Sequence, residues 1–209
     1  MKLVARSITA RSTVAGCLAL VCLLEMTKSY AWTLTIEPAS RRVFLHVGNG
    51  IVDGDNGTIN RVEVSISGAA LVGGLPQPMT TNSTQSSTLY GDGFVTCPNP
   101  STQILVGASY RRRNNGPASA TLSVTSPPSL TSASGDTIPF SEISWSVSAP
   151  GSPTPNVIPS GSFTGAQQTL ATIAANTNIE NCHTFTYANS AVQATGTYNG
   201  RVTYTLTSP

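Results

Sequence analysis

The stretch that decides the fold is Val202-Thr203-Tyr204-Thr205-Leu206, close to the C-terminal end of the sequence. Aliphatic and aromatic side chains alternate here with threonines, which is the two-residue period of a strand with one buried face. We therefore predict a C-terminal core strand whose inward residues are Val202, Tyr204 and Leu206. The sequence ends shortly afterwards, at Pro209. A domain that ends on a core strand is typical of a building block that assembles with other subunits.

The same alternation recurs in short runs along the chain, and helical periodicity is nearly absent. The predicted strands are 32–37, 43–47, 61–67, 103–110, 120–125, 143–148, 182–187 and 201–207. Turn-forming sequences separate them, at 53–57, 114–117, 126–128 and 199–200. Many short strands with such turns predict an all-β fold, an antiparallel β-sandwich, most simply one of immunoglobulin-like topology.

Three segments allow more specific local predictions. Residues 103–125 have the pattern of a β-hairpin whose tip is 111–116. Residues 150–159 contain four prolines and are expected to form a loop. Residues 167–175, with the sequence QQTLATIAA, are the one segment whose pattern is compatible with a helical turn.

The N-terminal segment has the pattern of an export signal. Its positive n-region contains Lys2, Arg6 and Arg11, its apolar core is 13–24, and Ser29-Tyr30-Ala31 offers small residues for cleavage. The apolar core has about twelve residues, whereas a helix that spans a bilayer needs about twenty. We therefore predict a signal peptide at 1–31, a single β-sandwich domain at 32–209, and no membrane anchor in the mature form.

A lipoprotein-type cleavage box, Val14-Ala15-Gly16-Cys17, is the alternative for this segment. The residues before it are polar and the apolar stretch follows it, which is the reverse of the order that lipidation requires. Simple export therefore remains the favoured interpretation.

Removal of the signal peptide changes the charge of the chain. Four of the eleven lysines and arginines leave with it, and the seven that remain are all arginine. One of the nine acidic residues also leaves, so the net charge of the mature chain is about −1. The basic balance therefore belongs to the precursor, and it gives no argument for a nucleic-acid partner.

Cys97 and Cys182 are the two cysteines outside the signal peptide. An even pair in an exported chain favours a disulfide, because the compartment outside the cytoplasm is oxidising. The alternative is a metal site with two cysteine ligands, for which His183 is the one histidine at ligand spacing.

No catalytic constellation is visible in the mature sequence. His46 alternates with apolar neighbours and is expected on the solvent-facing side of a strand, and His183 receives the same interpretation. Residues 53–57, with the sequence DGDNG, begin like a calcium loop but lack its later glycine and glutamate, so they are better explained as a turn. We predict that the protein is not an enzyme and has no metal or cofactor.

The one concentration of charge is Arg111-Arg112-Arg113. On a hairpin tip, three arginines could bind a polyanion such as lipopolysaccharide or the carboxylates of a neighbouring subunit, although charged loop tips are often simply solvated. Two glycosylation sequons, at Asn56 and Asn82, are informative only in a host that glycosylates exported proteins.

Two stretches carry a resemblance to a known family. Residues 196–206 (GTYNGRVTYTL) resemble the terminal strand region of bacterial pilins, nearest to the spore-coat-U-like subunits of archaic chaperone–usher systems. Residues 138–145 (IPFSEISW) are similar to a segment of pilin-like secreted proteins. Two features depart from that pattern: Asn199-Gly200-Arg201 stands where an aspartate-containing turn is usual, and Cys182 lies in a predicted strand.

The resemblance implies a mode of assembly. Subunits of that family resemble immunoglobulin domains that lack the last strand, which a periplasmic chaperone supplies first and the N-terminal extension of the next subunit supplies afterwards. It implies that Trp32, Leu34 and Ile36 form a donor strand; an ordinary first strand within its own domain is the alternative. The implied partners are identical or related pilin subunits, the periplasmic chaperone and an outer-membrane usher.

These inferences favour a structural subunit of a bacterial surface fibre. We expect a pilus or fimbria that polymerises by donor-strand exchange, is exported through the periplasm to the cell surface, and supports adhesion or biofilm formation. The alternative is a self-contained secreted β-sandwich that binds carbohydrate or another cell-surface ligand. Its expected contacts would be exposed aromatic residues: Tyr90, Tyr110, Tyr187 and Tyr198.

Overall fold

The chain is built mainly of β-strands. The computed structural model describes residues 42–49, 59–87, 95–112, 115–149 and 157–208. Strands make up 48% of the structure and helices 6%, and the described sheets pair antiparallel, so the predicted antiparallel all-β fold is confirmed. The predicted strand 32–37, the turn 53–57 and most of the proline-rich loop 150–159 lie outside the described residues.

The regular elements follow one another in short segments. In chain order they are β1 (Arg42–Val47), β2 (Val62–Glu63), α1 (Gly68–Gly73), β3 (Gln77–Pro78), β4 (Thr80–Thr81), β5 (Gln103–Arg111), β6 (Ser119–Thr125), β7 (Ser129–Ser132), β8 (Thr137–Pro139), a 3-10 turn (Phe140–Glu142), β9 (Ile143–Ser148), β10 (Gly161–Ser162), β11 (Gln167–Ala174), β12 (Thr177–Tyr187), β13 (Tyr198–Asn199) and β14 (Thr203–Thr207).

Two sheets carry most of the fold. The larger sheet has the strand order β1-β5-β12-β9-β10, and β3 also pairs with β12. The second sheet has the order β11-β6-β14. Two smaller sheets, β13-β7-β8 and β2-β4, are attached to them.

One hydrophobic core lies between the two main sheets. In β5 every second residue is buried in it, including Val106 and Tyr110, and in β6 the same holds for Leu122 and Val124. Strands of both sheets contribute to this single cluster, which is consistent with the predicted sandwich. Burying a side chain such as Leu122 contributes about 2 kcal/mol to stability, so this cluster is the main source of the fold's stability.

The outer face of the larger sheet is also covered, at its centre. Cys97 and Cys182 form the predicted disulfide, with their Cα atoms 5.3 Å apart, and together with Leu105 they make a second, fully buried cluster. The disulfide joins residues separated by 85 positions. In the chain-entropy account, a crosslink over that length stabilises the folded state by about 4–5 kcal/mol at most.

The strict alternation of apolar and polar residues predicted several strands correctly. The predictions for 43–47, 103–110, 120–125 and 143–148 agree with β1, β5, β6 and β9 to within a residue at each end. In 61–67 the predicted alternation of burial is present, but only Val62–Glu63 pairs as a strand. The chain then enters the short helix α1, whose first turn is capped by the Ser67 hydroxyl accepting from Ala70 N at 3.2 Å.

The prediction of a hairpin over 103–125 is wrong. β5 pairs with β1 and β12, whereas β6 pairs with β11 and β14, so the connection between them carries the chain from one sheet to the other. Two hydrogen bonds hold this connection: Tyr110 Oη donates to Pro117 O at 3.1 Å, and Ala175 N, from a distant part of the chain, donates to Ala118 O at 2.7 Å. Burial of both strands against one core favours this crossing over a flat hairpin.

The helical turn expected at 167–175 is also wrong, since this segment is strand β11. Its register against β6 shifts between Thr169 and Ala171, so Leu170 and Ala171 are both buried although they are neighbours in sequence. A β-bulge of this kind interrupts the two-residue period, which explains why the sequence pattern was misleading.

The turn predicted at 199–200 is absent as well. Asn199 belongs to β13 and pairs with Thr131 of β7. A Cβ atom on Gly200 would lie 2.6 Å from the Phe140 ring and 2.7 Å from a Leu130 methyl group. The glycine is therefore explained by close packing against the core.

Candidate functional site

The most distinctive site in the fold is the edge formed by β14. This strand pairs antiparallel with β6, with Tyr204 opposite Val124 and Leu206 opposite Leu122. Within the described part of the chain, no strand pairs with the opposite flank of β14. A row of main-chain donors and acceptors is thus presented at the rim of the sandwich, where another strand could pair.

The inner face of β14 is built into the core. Leu206 is buried, and Val202 and Tyr204 are partly buried and pack against the main cluster, whereas Thr203, Thr205 and Thr207 are exposed. Burial of the Tyr204 hydroxyl raises the pKa of that group above its ordinary value. The inward side chains of β14 therefore pack against the core, while one flank of its backbone has no described strand partner.

The first described strand lies close to this edge. β1 is at the end of the larger sheet, and Cα atoms of β1 and β14 come within 8 Å of each other, although the two strands belong to different sheets. Leu45 and Val47 of β1 are partly buried against the same core. The rims of the two sheets thus meet at one side of the sandwich, and we call this place, between β1 and β14, the seam.

His183 lies in the core behind β14. It is fully buried, its ring is parallel to that of Trp145 with centroids 6.2 Å apart, and it meets the Tyr204 ring edge-on at 6.3 Å. Neither ring nitrogen has a hydrogen-bond partner among the described residues. Desolvation by burial lowers the pKa of His183 from 6.5 to about 3, so the ring is neutral at physiological pH.

Both expectations of a solvated histidine are therefore wrong. His183 shares its strand face with Phe185 and Tyr187, which are also buried, so the alternation Asn181, His183, Phe185, Tyr187 is the signal that could have located it. His46 is 8% exposed, and its Nε2 lies 2.5 Å from Gly48 O.

The predicted strand at 182–187 begins earlier than expected, at Thr177. The added residues include Glu180 and Asn181, both buried and both bonded to distant parts of the chain. Thr96 Oγ1 donates to Glu180 Oε2 at 2.8 Å, and Ile158 N donates to Asn181 Oδ1 at 3.0 Å. Such partners cannot be located from local sequence, which explains why these polar residues did not indicate a strand.

Other predicted site residues fall in different places. Arg111 and Arg112 are exposed where β5 ends and the connection to the other sheet begins, so they do not lie on the predicted hairpin tip, and Arg113 lies outside the described residues. The donor residues Trp32, Leu34 and Ile36, the signal peptide at 1–31 and the sequon at Asn56 also lie outside them. Asn82 of the second sequon is exposed, and its Oδ1 accepts from Arg61 N at 2.7 Å.

Two other kinds of site are absent from the described ranges. There, no three His, Cys, Asp or Glu side chains are grouped as metal ligands would be. No helix in the same ranges has the length and apolar character needed to cross a bilayer.

Comparisons with known proteins give no further guide to the site. No protein-family model, curated protein or solved structure matches this chain.

Proposed function

We propose that the protein is a structural subunit of a bacterial surface fibre and polymerises by strand exchange at the seam. The observation that carries the proposal is the position of β14, an edge strand whose inner face is packed into the core and whose outer flank has no described strand partner. When a strand is added to such an edge, its main chain forms hydrogen bonds with the edge strand, and its alternate apolar side chains become buried.

The strand order supports an immunoglobulin-type sandwich without its last strand. In the constant-type arrangement, strands A, B, E and D form one sheet, and strands C, F and G form the other. The order β1-β5-β12-β9 corresponds to A-B-E-D, and β6-β14 corresponds to C-F, with all six in the expected chain order. The position of G is beside β14, and no strand of the described residues fills it.

The proposed donor is the N-terminal segment of a second subunit. Trp32, Leu34 and Ile36 alternate with polar residues, so a strand made from this segment has one apolar face. Placed beside β14, that face would pack against the core where Tyr204 and Leu206 already lie. The polar residues between them would remain on the outer surface with the exposed threonines of β14.

Export and assembly partners belong to the same proposal. The signal peptide at 1–31 would deliver the chain to the periplasm, where a chaperone would occupy the seam until an outer-membrane usher allowed a second subunit to replace it. The mature fibre would then lie at the cell surface and serve adhesion or biofilm formation. This role requires neither catalysis nor a cofactor.

The alternative, a carbohydrate-binding sandwich, finds no supporting observation among its candidate contacts. Tyr110 and Tyr187 are buried, and burial together with the nearby Glu142 charge raises the pKa of the Tyr187 hydroxyl. Tyr198 is half-buried, and its hydroxyl donates to Ala194 O at 2.8 Å. Tyr90 lies outside the described residues.

The test compares the two faces of the proposed donor strand. In mature protein, Leu34→Asp with Ile36→Asp places charges on the apolar face, and Thr33→Asp with Thr35→Asp places the same charges on the other face. We expect the first pair to convert polymers into monomers, because an aspartate cannot be buried unpaired, and the second pair to leave polymers in place. Size-exclusion chromatography with light scattering, together with electron microscopy, measures both.

Deletion of residues 32–37 provides the second arm of this test. The deleted protein should be monomeric, and a peptide of residues 32–37 should bind it and raise its melting temperature. Stable monomers indistinguishable from the full-length protein after the deletion would contradict the proposal. A full-length monomer that loses stability on deletion would instead support the alternative, a first strand within its own domain.

A further inference from the structure

The end of the sandwich where β12 finishes carries an exposed apolar surface. Val72 of α1 is 79% exposed, Leu75 after the helix is 69% exposed, and Val192 in the loop that follows β12 is 71% exposed. They are the three most exposed of the large apolar side chains in the described ranges. We call these three residues the apolar tip.

The two segments that carry the apolar tip are joined by Asn189. This buried residue donates from Nδ2 to Ala70 O at 2.8 Å and to Leu75 O at 3.2 Å. Ser190, the next residue, donates from its backbone N and from its hydroxyl to the Glu142 carboxylate. These bonds hold α1 and the loop together in the isolated subunit, so a partner that binds there has little ordering to impose.

The sequence around the apolar tip is uncharged. Residues 64–87 and 181–200 contain no lysine, arginine, aspartate or glutamate. Binding to an anionic membrane or to a nucleic acid depends on clustered basic residues. The core of a protein–protein interface, in contrast, is apolar and depleted of charge. The composition of the tip therefore favours a protein partner.

The strand pairings place the apolar tip and the start of β1 at opposite ends of the sandwich. β12 begins at Thr177, opposite Tyr110, and β1 begins beside the same end of β5. β12 ends at Tyr187, which pairs with β3 directly after the tip residue Leu75. The tip is therefore at the end of the larger sheet that β1 runs towards.

The direction of β14 determines how a donor strand would run. β6 begins beside the start of β12, where Ala175 N donates to Ala118 O, and it ends at Thr125. Thr203, at the start of β14, stands opposite Thr125, so β14 runs away from the tip end. A donor strand antiparallel to β14, as strand G is to strand F in immunoglobulin domains, would therefore finish at the tip end.

The connection between the donor segment and β1 is short. Five residues, 37–41, separate Ile36 from the first residue of β1. Six steps along the chain reach at most about 21 Å. The start of β1 in the donor subunit would thus lie near the tip end of the acceptor subunit, and it presents an exposed apolar side chain, Val43.

We infer that the apolar tip of each acceptor subunit packs against the start of β1 in the donor subunit, around Val43. This inference rests on the proposed strand exchange, and it adds a contact between successive subunits that strand pairing alone does not require. The contact would bury the tip within the fibre, and it would fix the angle between neighbouring subunits, which residues 37–41 alone would leave free.

Crosslinking tests this contact directly. Val43→Cys with Val192→Cys places one new thiol at each end of the subunit, and a short bismaleimide should then join polymers into covalent ladders on a denaturing gel. The natural cysteines are bonded to each other and offer no thiol. Val43→Cys with Val95→Cys is the matched control, because Val95 is exposed and adjoins Thr96, which is bonded to Glu180 within β12. Equal ladders from the two pairs would contradict the inference.

A pair of aspartates separates the tip contact from strand pairing. In the protein that lacks residues 32–37, Val72→Asp with Val192→Asp should change the affinity for the donor peptide less than about twofold, because the peptide binds at a distant edge. In full-length protein, the same pair should make polymers dissociate about tenfold faster or more on dilution, because an unpaired carboxylate resists burial. Val95→Asp with Thr169→Asp adds the same charge at other exposed positions and should change neither result.

The outcomes distinguish this inference from the proposed function. Normal peptide binding with unchanged polymer dissociation in the Val72 and Val192 variant would overturn the tip contact and leave strand exchange in place. A natural protein that neither polymerises nor binds the peptide would overturn both. Binding of the deleted protein to phosphatidylcholine vesicles that the aspartate pair abolishes, without an effect on polymers, would assign the tip to lipid instead.

Discussion

Strands β12 and β14 both contribute to the core, yet they are held in opposite ways. β12 has eleven residues, pairs with β5 and β9 on its two flanks, and is covered on both faces at its centre. β14 has five residues, one described flanking partner and a row of exposed threonines. The difference indicates that the centre of the larger sheet is enclosed on all sides, whereas β14, at the rim of the smaller sheet, has one flank without a described strand partner.

Buried polar groups on β12 show how completely that centre is enclosed. Glu180 and Asn181 have partners on other segments, and these bonds fix the segments around residues 96 and 158 against the sheet. His183 has no hydrogen-bond partner among the described residues and is accommodated as a neutral aromatic ring. β14 is held by apolar contacts, by one ladder of hydrogen bonds to β6, and by a long hydrogen bond from the Ser123 hydroxyl to Thr205 O at 3.5 Å.

The largest expected effect concerns the crosslink on β12. Replacing both cysteines, Cys97→Ser with Cys182→Ser, should lower the free energy of unfolding by about 4 kcal/mol, because the denatured chain regains the freedom that the crosslink removed. Urea denaturation of monomeric protein measures this loss, and reduction of the natural protein should reproduce it. A loss below about 1 kcal/mol would show that the disulfide does not fix the centre of the sheet.

The next effect concerns the packing of β14 against the core. Leu206→Ala should cost about 2–3 kcal/mol, since it removes a buried side chain from the core. Thr205→Ala, on the exposed face of the same strand, should cost less than about 0.5 kcal/mol. Leu122→Ala, in the facing position on β6, should cost more than Leu206→Ala because β6 has neighbours on both flanks. Equal losses of unfolding free energy in Leu206→Ala and Leu122→Ala would show that the edge strand β14 is held as tightly as the central strand β6.

The smallest of the three effects is a dependence on pH. Because the folded-state pKa of His183 is depressed to about 3, the unfolded chain binds a proton below pH 6.5 that the folded chain does not. Above pH 6.5 the His183 ring is neutral in both states and causes no loss of folding stability. As the pH decreases from 6.5 towards 3, protonation of the unfolded chain lowers the free energy of unfolding. At pH 5 the loss is about 2 kcal/mol.

His183→Leu tests this dependence. The variant should lose most of the decline in unfolding free energy between pH 7 and pH 5, whereas His46→Gln should retain it. A decline of the same size in the His183→Leu protein would show that other groups cause the acid sensitivity.

Local sequence predicted the strands whose alternation is uninterrupted, such as β5 and β9, together with the disulfide and the all-β fold. It failed at β11, where a bulge places Leu170 and Ala171 on the same side, and at the start of β12, where buried polar residues depend on distant partners. It also failed to pair β5 and β6 correctly, because the turn sequence does not reveal whether a chain stays within a sheet or crosses to another. The seam itself is a product of sheet order, which no local pattern contains.

The most direct test of the central claim is hydrogen exchange in the protein that lacks residues 32–37, with and without a peptide of that sequence. We predict that amides of β14 exchange quickly in the deleted protein and become protected when the peptide is added, while amides at the centre of β12 are protected in both conditions. Protection of β14 that is already complete without the peptide, or that does not change when it is added, would contradict the proposal that this edge receives a donor strand.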